Sequence, residues 1–214
     1  MPHGIVAAVH LPKPSDAIPD SILHRLHAEE REHAAELKER RRIEWIGGRL
    51  AARVAARQLG VELPALLPDS YGAPQAPKHL TVSIAHKEGL AFALIARKAH
   101  GAVGIDFEVL GRDRSAIAPK ILNEFEQAEV NALATHRQWT AILLRFAIKE
   151  ALYKALAPRM RRYIAFDEVQ VSELANGSAC VALSLREGDP PSHAEVKYEW
   201  ISAGLVTTAR VRWD

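Results

Sequence analysis

The chain has 214 residues, enough for one large domain or two small ones, and its 48% hydrophobic and 25% charged content is ordinary for a globular protein. The formal net charge of +2 excludes a strong general attraction to nucleic acid. The single cysteine, Cys180, excludes an internal disulfide, the first residues lack a secretory-signal pattern, and no apolar run approaches the roughly 20 residues of a membrane helix. We therefore expect a cytoplasmic protein that binds neither nucleic acid nor membrane.

The beginning of the chain predicts one strand followed by helices. Gly4–His10 is a short apolar run typical of a strand, and Ser21–Leu59 has a helical pattern. A dense run of charges between Arg25 and Glu44 alternates acids with bases. Such alternation indicates a solvated helical face rather than a patch that binds nucleic acid.

Small residues mark the end of this helical segment. Gly47 and Gly48 each cost about 1 kcal/mol in a helix relative to alanine, so we expect another element to pack closely against them. Arg49 and Arg53 are four residues apart and share one helix face. By themselves they are either two surface arginines or a site for an anion.

Three strands are predicted after a proline-rich connector. They cover Leu80–His86, Leu90–Ala96 and Gly101–Phe107, and we expect the last two to pair as a hairpin. His86 stands where the first of these strands runs into a loop. It is either a structural histidine or a contact for an anion, and Lys87 beside it adds positive charge.

The third of these strands carries two acids. Asp106 and Glu108 are two residues apart and so point to one face, while Ile105 and Phe107 point to the other. Two close carboxylates repel each other unless a cation screens them, and Mg²⁺ prefers such oxygen ligands. The alternative is an exposed strand end with two solvated acids.

A second charged pair lies in a predicted helix, Thr140–Leu156, whose apolar residues are spaced by three and four. Glu150 and Lys154 are four residues apart and share a face of this helix. They form either an ordinary surface ion pair or a functional pair. In the functional interpretation, the glutamate joins the face of Asp106 and the lysine binds a phosphate.

The rest of the second half predicts further helices and strands. One or two helices are expected in Ser115–Leu133. Turn signals separate four later runs, which we expect to form a meander of strands. These runs are Phe166–Leu174, Ser178–Leu185, Glu195–Ser202 and Gly204–Trp213.

Two of these stretches together resemble the 4′-phosphopantetheinyl transferase family, in its larger, two-lobed surfactin-synthetase-activating form. That family has a G-I-D-x-E strand followed about forty residues later by a K-E-x-x-x-K helix. Gly104–Glu108 and Lys149–Lys154 match these motifs in the same order and at the same spacing. Each motif is weak alone, whereas the pair is fairly specific.

The resemblance extends upstream with some departures. The segment that ends at His86 resembles the family's S-I-S-H-S segment, with Ala85 and Lys87 in place of the flanking serines. The turn Asp69–Pro74 resembles the family's Y-G-K-P turn, with Ala73 in place of lysine. One contact with the coenzyme is therefore in question.

The resemblance also implies a fold. It implies an α+β protein built as a pseudo-twofold pair of similar α+β lobes, with the active site in the cleft between them. The N-terminal lobe, residues 1–100, would contact coenzyme A. The C-terminal lobe, residues 101–214, would hold the metal site and dock the carrier protein. We expect a monomer.

The implied activity is Mg²⁺-dependent transfer of the 4′-phosphopantetheine group from coenzyme A, the co-substrate, to a serine of an apo acyl or peptidyl carrier protein, releasing adenosine 3′,5′-bisphosphate. The resemblance makes Asp106, Glu108 and Glu150 the metal ligands. It makes Glu150, Lys154 and Asp106 the catalytic residues, with Glu150 as a candidate base. The expected coenzyme contacts are Arg49, Arg53, His86, Lys149 and Lys154.

Two other interpretations are open at this point. One is a different Mg²⁺-dependent phosphoryl-transfer enzyme, although the chain lacks the G-x-x-x-x-G-K-[ST] loop of one large class. The other is a degenerate family member that binds coenzyme A or a carrier protein without catalysis. The sequence does not indicate which carrier protein or pathway is served.

Overall fold

The computed structural model describes residues 3–13 and 15–214, except for the side chains of Glu173 and Leu174. It divides into two compact units, Met1–Val103 and Gly104–Asp214, close to the predicted boundary between residues 100 and 101. Each unit has its own sheet and its own helices, so the α+β prediction is confirmed. The arrangement of two lobes about a cleft stays a prediction. No helix in the described part of the chain is long and apolar enough to cross a membrane.

The first unit is built on a three-stranded antiparallel sheet. Its strands are β1 (Ile5–His10), β2 (Leu80–Lys87) and β3 (Leu90–Arg97). The third strand lies between the other two, and its Ile95 is opposite Ile5 on one side and Val82 on the other. The helices of this unit are α1 (Asp20–Leu23), α2 (Ala28–Ala35) and α3 (Glu39–Leu59).

The paired glycines bring α3 close to the sheet, as the sequence predicts. A β-carbon on Gly47 would lie 2.0 Å from Cδ2 of Leu11, and one on Gly48 would lie 2.7 Å from Cγ2 of Ile84. The following turns of α3 bury alanines in the same core, because small side chains keep the helix close to the strands. These alanines are Ala51, Ala52, Ala55 and Ala56.

The connector between α3 and β2 contains the predicted turn. Oδ1 of Asp69 accepts hydrogen bonds from the backbone N–H groups of Tyr71 and Ala73, both at 2.9 Å. Gly72 lies between them with a φ of 81°, in the left-handed region that favours glycine. The chain therefore forms a turn here, with Ala73 at the position where the resemblance leads us to expect lysine.

The second unit is built on a five-stranded sheet. Its strands are β4 (Ala102–Glu108), β5 (Val169–Ala175), β6 (Ser178–Leu183), β7 (His193–Ile201) and β8 (Gly204–Arg212). They lie in the order β4-β8-β7-β6-β5, and consecutive strands from β5 to β8 are antiparallel. The predicted meander is therefore confirmed.

The predicted hairpin of Leu90–Ala96 with Gly101–Phe107 is wrong. Strand β4 pairs with β8 in the second sheet rather than with β3. Both edges of β3 are already occupied by β1 and β2, so its backbone has no edge left for β4. The short connection Lys98–His100 forms a 3₁₀ turn between two sheets instead of a hairpin loop.

Three helices accompany the second sheet: α4 (Ala118–Ile121), α5 (Glu124–Asn131) and α6 (Thr135–Met160). The long helix α6 is held to the sheet by apolar packing and by hydrogen bonds, one of which is fully buried. In that bond, the hydroxyl of Thr207 on β8 donates to the carbonyl oxygen of Ala147 at 2.8 Å. This contact fixes the position of α6, which carries the predicted Glu150 and Lys154.

The two units repeat one local design around a buried glutamate. In each unit an eight-residue helix precedes a long helix. Glu30 and Glu126 are fully buried on the short helices, where each accepts a hydrogen bond from the backbone N–H of the residue before its helix. Each also pairs with a cation 23 residues later on the long helix, Arg53 in one unit and Lys149 in the other. A constant offset of 96 residues therefore relates these two segments.

Candidate active site

The acidic face of β4 lies directly against α6. Alternation along the strand gives Gly104, Asp106 and Glu108 the same face. A β-carbon on Gly104 would lie only 1.9 Å from the carbonyl oxygen of Ala151 on α6, so a glycine is needed for this approach. Asp106 and Glu108 are 6% and 8% exposed, which excludes the interpretation of two solvated acids.

Asp106 is bound by Lys154 through one carboxylate oxygen only. The Lys154 ammonium donates to Oδ1 of Asp106 at 2.7 Å and to the carbonyl oxygen of Ile105 at 3.0 Å. The other oxygen, Oδ2 of Asp106, is buried and has no hydrogen-bond partner among the described residues. A buried carboxylate oxygen without a partner is costly, and such an atom is suited to a cation or another bound group.

Glu150 lies one helical turn before Lys154 and is partly exposed. It lines a small cavity of about 80 Å³ together with Tyr153 and Tyr163. Glu150 and Lys154 thus share one side of α6, as their spacing predicts. The structure joins Lys154 to Asp106, and the approach of Glu150 to this pair stays a prediction.

The residues present fit a magnesium ion that has few protein ligands. Within residues 3–13 and 15–214, no group of three His, Cys, Asp or Glu side chains is arranged to hold a metal. Mg²⁺ commonly binds one or two carboxylates and completes its shell with phosphates and water. Oδ2 of Asp106 and the carboxylate of Glu108 on the same strand face suit that role. Glu150 as a third ligand stays a prediction.

The role predicted for Lys149 needs correction. Its side chain is 1% exposed, and its ammonium donates to Glu126 at 2.6 Å and to the carbonyl oxygens of Ile121 and Phe166 at 2.8 and 2.9 Å. An ammonium has three donors, so none is left for a phosphate. Burial lowers the pKa of Lys149, and Glu126 opposes that shift. Lys149 is therefore a structural lysine.

Arg53 is the equivalent structural residue of the first unit. Its guanidinium donates to the carbonyl oxygen of Leu63 at 3.0 Å and to the buried carboxylate of Glu30. Glu30 also accepts from the backbone N–H of Leu66 at 2.9 Å. These bonds tie α2, α3 and the following connector together. Nε of Arg53 is buried without a hydrogen-bond partner among the described residues, and the contact of Arg53 with the coenzyme stays a prediction.

Arg49 is buried beneath an aromatic ring. It is 6% exposed, its Nε donates to the carbonyl oxygen of Leu66 at 3.0 Å, and its Cζ lies 3.1 Å from the ring centroid of Trp45. Burial lowers the pKa of Arg49 to about 9, although Glu30 acts in the opposite direction. The structure thus gives Arg49 a packing role as well as a positive charge.

His86 belongs to a charged cluster at the start of α3. Nη1 of Arg41 donates to Nε2 of His86 at 2.9 Å, so Nδ1 carries the proton and faces Glu44 at 3.5 Å. Arg40 also pairs with Glu44, at 3.0 Å. Arg41 is the residue that the sequence interpretation missed, because it lies in the charge run assigned to a solvated face. The sequence signal that could have identified Arg41 was its spacing of four residues from Trp45 and eight residues from Arg49 along α3.

Two family models match the chain. The 4′-phosphopantetheinyl transferase superfamily matches residues 102–209, and the 4′-phosphopantetheinyl transferase N-terminal domain matches residues 29–96. The chain therefore belongs to the 4′-phosphopantetheinyl transferase superfamily. The family predicted from the two motifs is confirmed, and the N-terminal match supports its larger type.

Individual relatives carry corresponding names. The chain is 32% identical over 158 residues to 4′-phosphopantetheinyl transferase Svp of Streptomyces mobaraensis, covering 72% of this chain and 63% of that protein. It is 29% identical over 189 residues to 4′-phosphopantetheinyl transferase Npt of Nocardia iowensis, covering 84% and 78%. The chain thus spans less than two thirds of the Streptomyces relative. A solved holo-(acyl-carrier-protein) synthase from Bacillus anthracis, in complex with CoA, aligns with a TM-score of 0.44 at 20% identity over 53% of this chain and 96% of that one.

Proposed function

We propose that this protein transfers the 4′-phosphopantetheine group of coenzyme A to a serine of an apo acyl or peptidyl carrier protein, with Mg²⁺ as the required ion. Family membership supports the reaction class. The observation that carries the proposal for this chain is the pair of buried Asp106 with partly exposed Lys154. Lys154 occupies one oxygen of Asp106, and the other oxygen has no hydrogen-bond partner among the described residues.

In this proposal the acidic face of β4 holds the ion. Asp106 and Glu108 are its ligands, and Glu150 contributes directly or through a water molecule. A bound Mg²⁺ would neutralise negative charge on the pyrophosphate of coenzyme A. Lys154 fixes Asp106 in place, and because it uses only two of its three donors on protein oxygens, the third is available to a phosphate oxygen.

Glu150 is our candidate for the base. The carrier serine oxygen attacks the phosphorus that bears the pantetheine arm, and the bond from that phosphorus to the bridging oxygen breaks. Adenosine 3′,5′-bisphosphate leaves, and the serine proton passes to Glu150. A general base must be within reach of the hydroxyl that it deprotonates, and the partial exposure of Glu150 leaves its side chain accessible to a bound carrier protein.

We place the coenzyme phosphate contacts in the cluster around His86. Arg41 is 56% exposed at its side chain and already bonds to His86, so its remaining donors are accessible to an anion. Lys87 follows directly in the chain and adds charge. The buried Arg49 guanidinium, which lies under the Trp45 ring, adds positive charge near Arg41. Lys149 is not part of this proposal, because its three donors are committed to protein acceptors. We assign Arg53 to holding the buried Glu30.

The test is incubation with coenzyme A, Mg²⁺ and a panel of apo carrier proteins, followed by intact-mass measurement. We expect one carrier to gain the mass of one phosphopantetheine arm, and only when the metal is present. Asp106→Asn keeps the size and one oxygen but removes the charge, so it should lose nearly all turnover. Asp189→Asn, the same change at an exposed site, is the matched control and should keep full turnover.

Glu150→Gln separates the two roles of this residue. If Glu150 is the base, the variant should bind coenzyme A but transfer slowly at any Mg²⁺ concentration. Full recovery at high Mg²⁺ would make Glu150 only a ligand. Equal turnover of the Asp106→Asn variant and the wild type would refute the proposed metal site.

A second candidate function is binding of coenzyme A or a carrier protein without catalysis. It is favoured by the lack of a three-carboxylate cluster in the described part of the chain and by Ala73 in place of lysine. This function predicts no mass gain for any carrier, even though calorimetry detects binding of coenzyme A to the folded protein.

A further inference from the structure

The hydrogen bond that His86 makes in this structure conflicts with a direct bond from its ring to a phosphate. Nε2 of His86 accepts a hydrogen bond from Nη1 of Arg41 at 2.9 Å, so the imidazole is neutral and this nitrogen carries no proton. A phosphate oxygen is also an acceptor, and two acceptors do not bond to each other. In this state His86 therefore has no Nε2 proton to donate to a coenzyme phosphate.

Glu44 faces the other nitrogen of the same ring. Its Oε2 lies 3.5 Å from Nδ1 of His86 and 3.8 Å from Nη1 of Arg41, and its Oε1 accepts from Nε of Arg40 at 3.0 Å. The Glu44 side chain is 17% exposed, so its charge is screened less than that of a surface carboxylate. A nearby negative charge favours the charged form of an imidazole, so Glu44 is placed to stabilise a second proton on His86.

The other groups around this ring leave the charges nearly balanced. The residue opposite His86 on β3 is Ala91, which carries no charge. A cleft of about 220 Å³ beside the ring is lined by two cations and two acids, Arg40, Lys87, Glu44 and Glu88. An incoming phosphate would change this balance, because it brings negative charge to the side of the ring that Arg41 occupies in this structure.

We propose that Glu44 is a positioning residue for the coenzyme, because it stabilises a protonated His86 that forms when a coenzyme phosphate binds. This inference rests on the proposed function. In the bound state, Arg41 turns its Nη1 from His86 to the phosphate, and its side chain is 56% exposed and has room to move. Nε2 of His86 takes one proton from solvent and donates a hydrogen bond to a phosphate oxygen. The imidazolium then lies between two anions, Glu44 at Nδ1 and the phosphate at Nε2.

The test is calorimetry of coenzyme A binding to the full chain near pH 7.5, in buffers that differ in ionisation enthalpy. The difference in heat between buffers gives the number of protons taken up for each coenzyme bound. We expect about half a proton or more for the wild type, because histidine changes charge close to this pH. A phosphate monoester of the coenzyme also titrates, near pH 6, but contact with cations makes it release protons rather than take them up.

His86→Gln isolates the contribution of the imidazole. The glutamine amide donates a hydrogen bond without taking a proton from solvent. This variant should therefore bind coenzyme A with no proton uptake. Uptake equal to that of the wild type would assign the proton to another group and overturn the inference.

Glu44→Gln is the decisive variant, because its expected effect is opposite to that of simple charge removal. Loss of an acid beside an anion site should by itself tighten coenzyme binding. Loss of the partner of a protonated His86 should instead weaken binding by about fivefold near pH 7.5, and the defect should shrink as the pH is lowered towards about 5.5. Glu39→Gln, at an exposed position on the same helix, is the matched control and should bind like the wild type throughout.

The outcomes distinguish this inference from the proposed function. Coenzyme binding without proton uptake, or unchanged or tighter binding in Glu44→Gln near pH 7.5, would refute the role of Glu44 and leave the transfer reaction intact. Proton uptake on coenzyme binding, without a mass gain in any carrier protein, would support the role of Glu44 and refute transfer. Absence of coenzyme binding to the wild type would refute both.

Discussion

Lys149→Met tests whether the first lysine of the K-E-x-x-x-K motif serves folding or coenzyme binding. Methionine keeps a long apolar side chain but removes the ammonium. The carboxylate of Glu126, which is 0% exposed, would lose its cationic partner at 2.6 Å. The carbonyl oxygens of Ile121 and Phe166 would lose their donor as well. The variant should therefore be unstable rather than weak in coenzyme binding.

The magnitude follows from burial. Removing one partner of a buried ion pair typically costs about 3–5 kcal/mol, because the other charge stays buried without compensation. At about 2–4 °C per kcal/mol for a chain of this size, the melting temperature should fall by about 10 °C. Glu126→Gln combined with Lys149→Met removes both charges. The double variant should therefore lose less stability than the sum of the two single changes.

The assay is urea unfolding followed by circular dichroism, together with transfer rates per folded molecule. Lys154→Met on the same helix is the matched control, because Lys154 is 26% exposed at its side chain and pairs with Asp106. We expect Lys154→Met to lose turnover with a smaller loss of stability, and Lys149→Met to show the reverse. A Lys149→Met protein with wild-type stability and a raised KM for coenzyme A would refute the structural role.

Two further predictions concern packing and pH. Gly104→Ala would place a β-carbon 1.9 Å from the backbone oxygen of Ala151, whereas the close atom at Gly47 is the flexible end of a leucine side chain. Gly104→Ala should therefore lose more unfolding free energy than Gly47→Ala. Equal losses in urea unfolding would contradict this prediction. Arg162 lowers the pKa of Glu168 to about 2, so the stability from this carboxylate is present above its ordinary pKa and is lost as pH falls towards 2. Between pH 6 and 3 the wild type should lose up to about 2 kcal/mol more unfolding free energy than Arg162→Gln, and identical pH slopes would contradict the assignment.

Local sequence patterns predicted most of the secondary structure and the meander of β5 to β8, whereas they did not predict the partner of β4. The alternation of Gly104–Glu108 and the helical spacing of Thr140–Leu156 report directly on which side chains share a face. The partner of a strand depends on which sheet edges are free, and that is a property of the whole unit. The expected pairing of Leu90–Ala96 with the next strand failed for this reason.

The candidate site was likewise predicted only in part from the sequence. The period of two in a strand placed Asp106 and Glu108 on one face, and the spacing of four placed Lys154 beside Glu150. The bond between Lys154 and Asp106 connects residues 48 apart, so only the fold shows it. Arg41 was missed because a run of alternating charges is usually solvated. Its contact with His86 comes from the meeting of α3 and β2, which charge pattern alone does not show.

The K-E-x-x-x-K motif combines one lysine that serves folding with a glutamate and a lysine that serve the proposed chemistry. Helix geometry alone distinguishes these two groups. At 3.6 residues per turn, Glu150 and Lys154 are about 40° apart around the helix, whereas Lys149 and Lys154 are about 140° apart. The two lysines therefore cannot serve one phosphate from the same face. Lys149 turns to the buried Glu126, 23 residues earlier, and Arg53 makes the equivalent bond to Glu30 in the first unit. Because this pair recurs in a unit without the acidic strand face, its presence reflects the folding of a repeated helix pair. The chemistry assigned to the motif rests on Glu150 and Lys154.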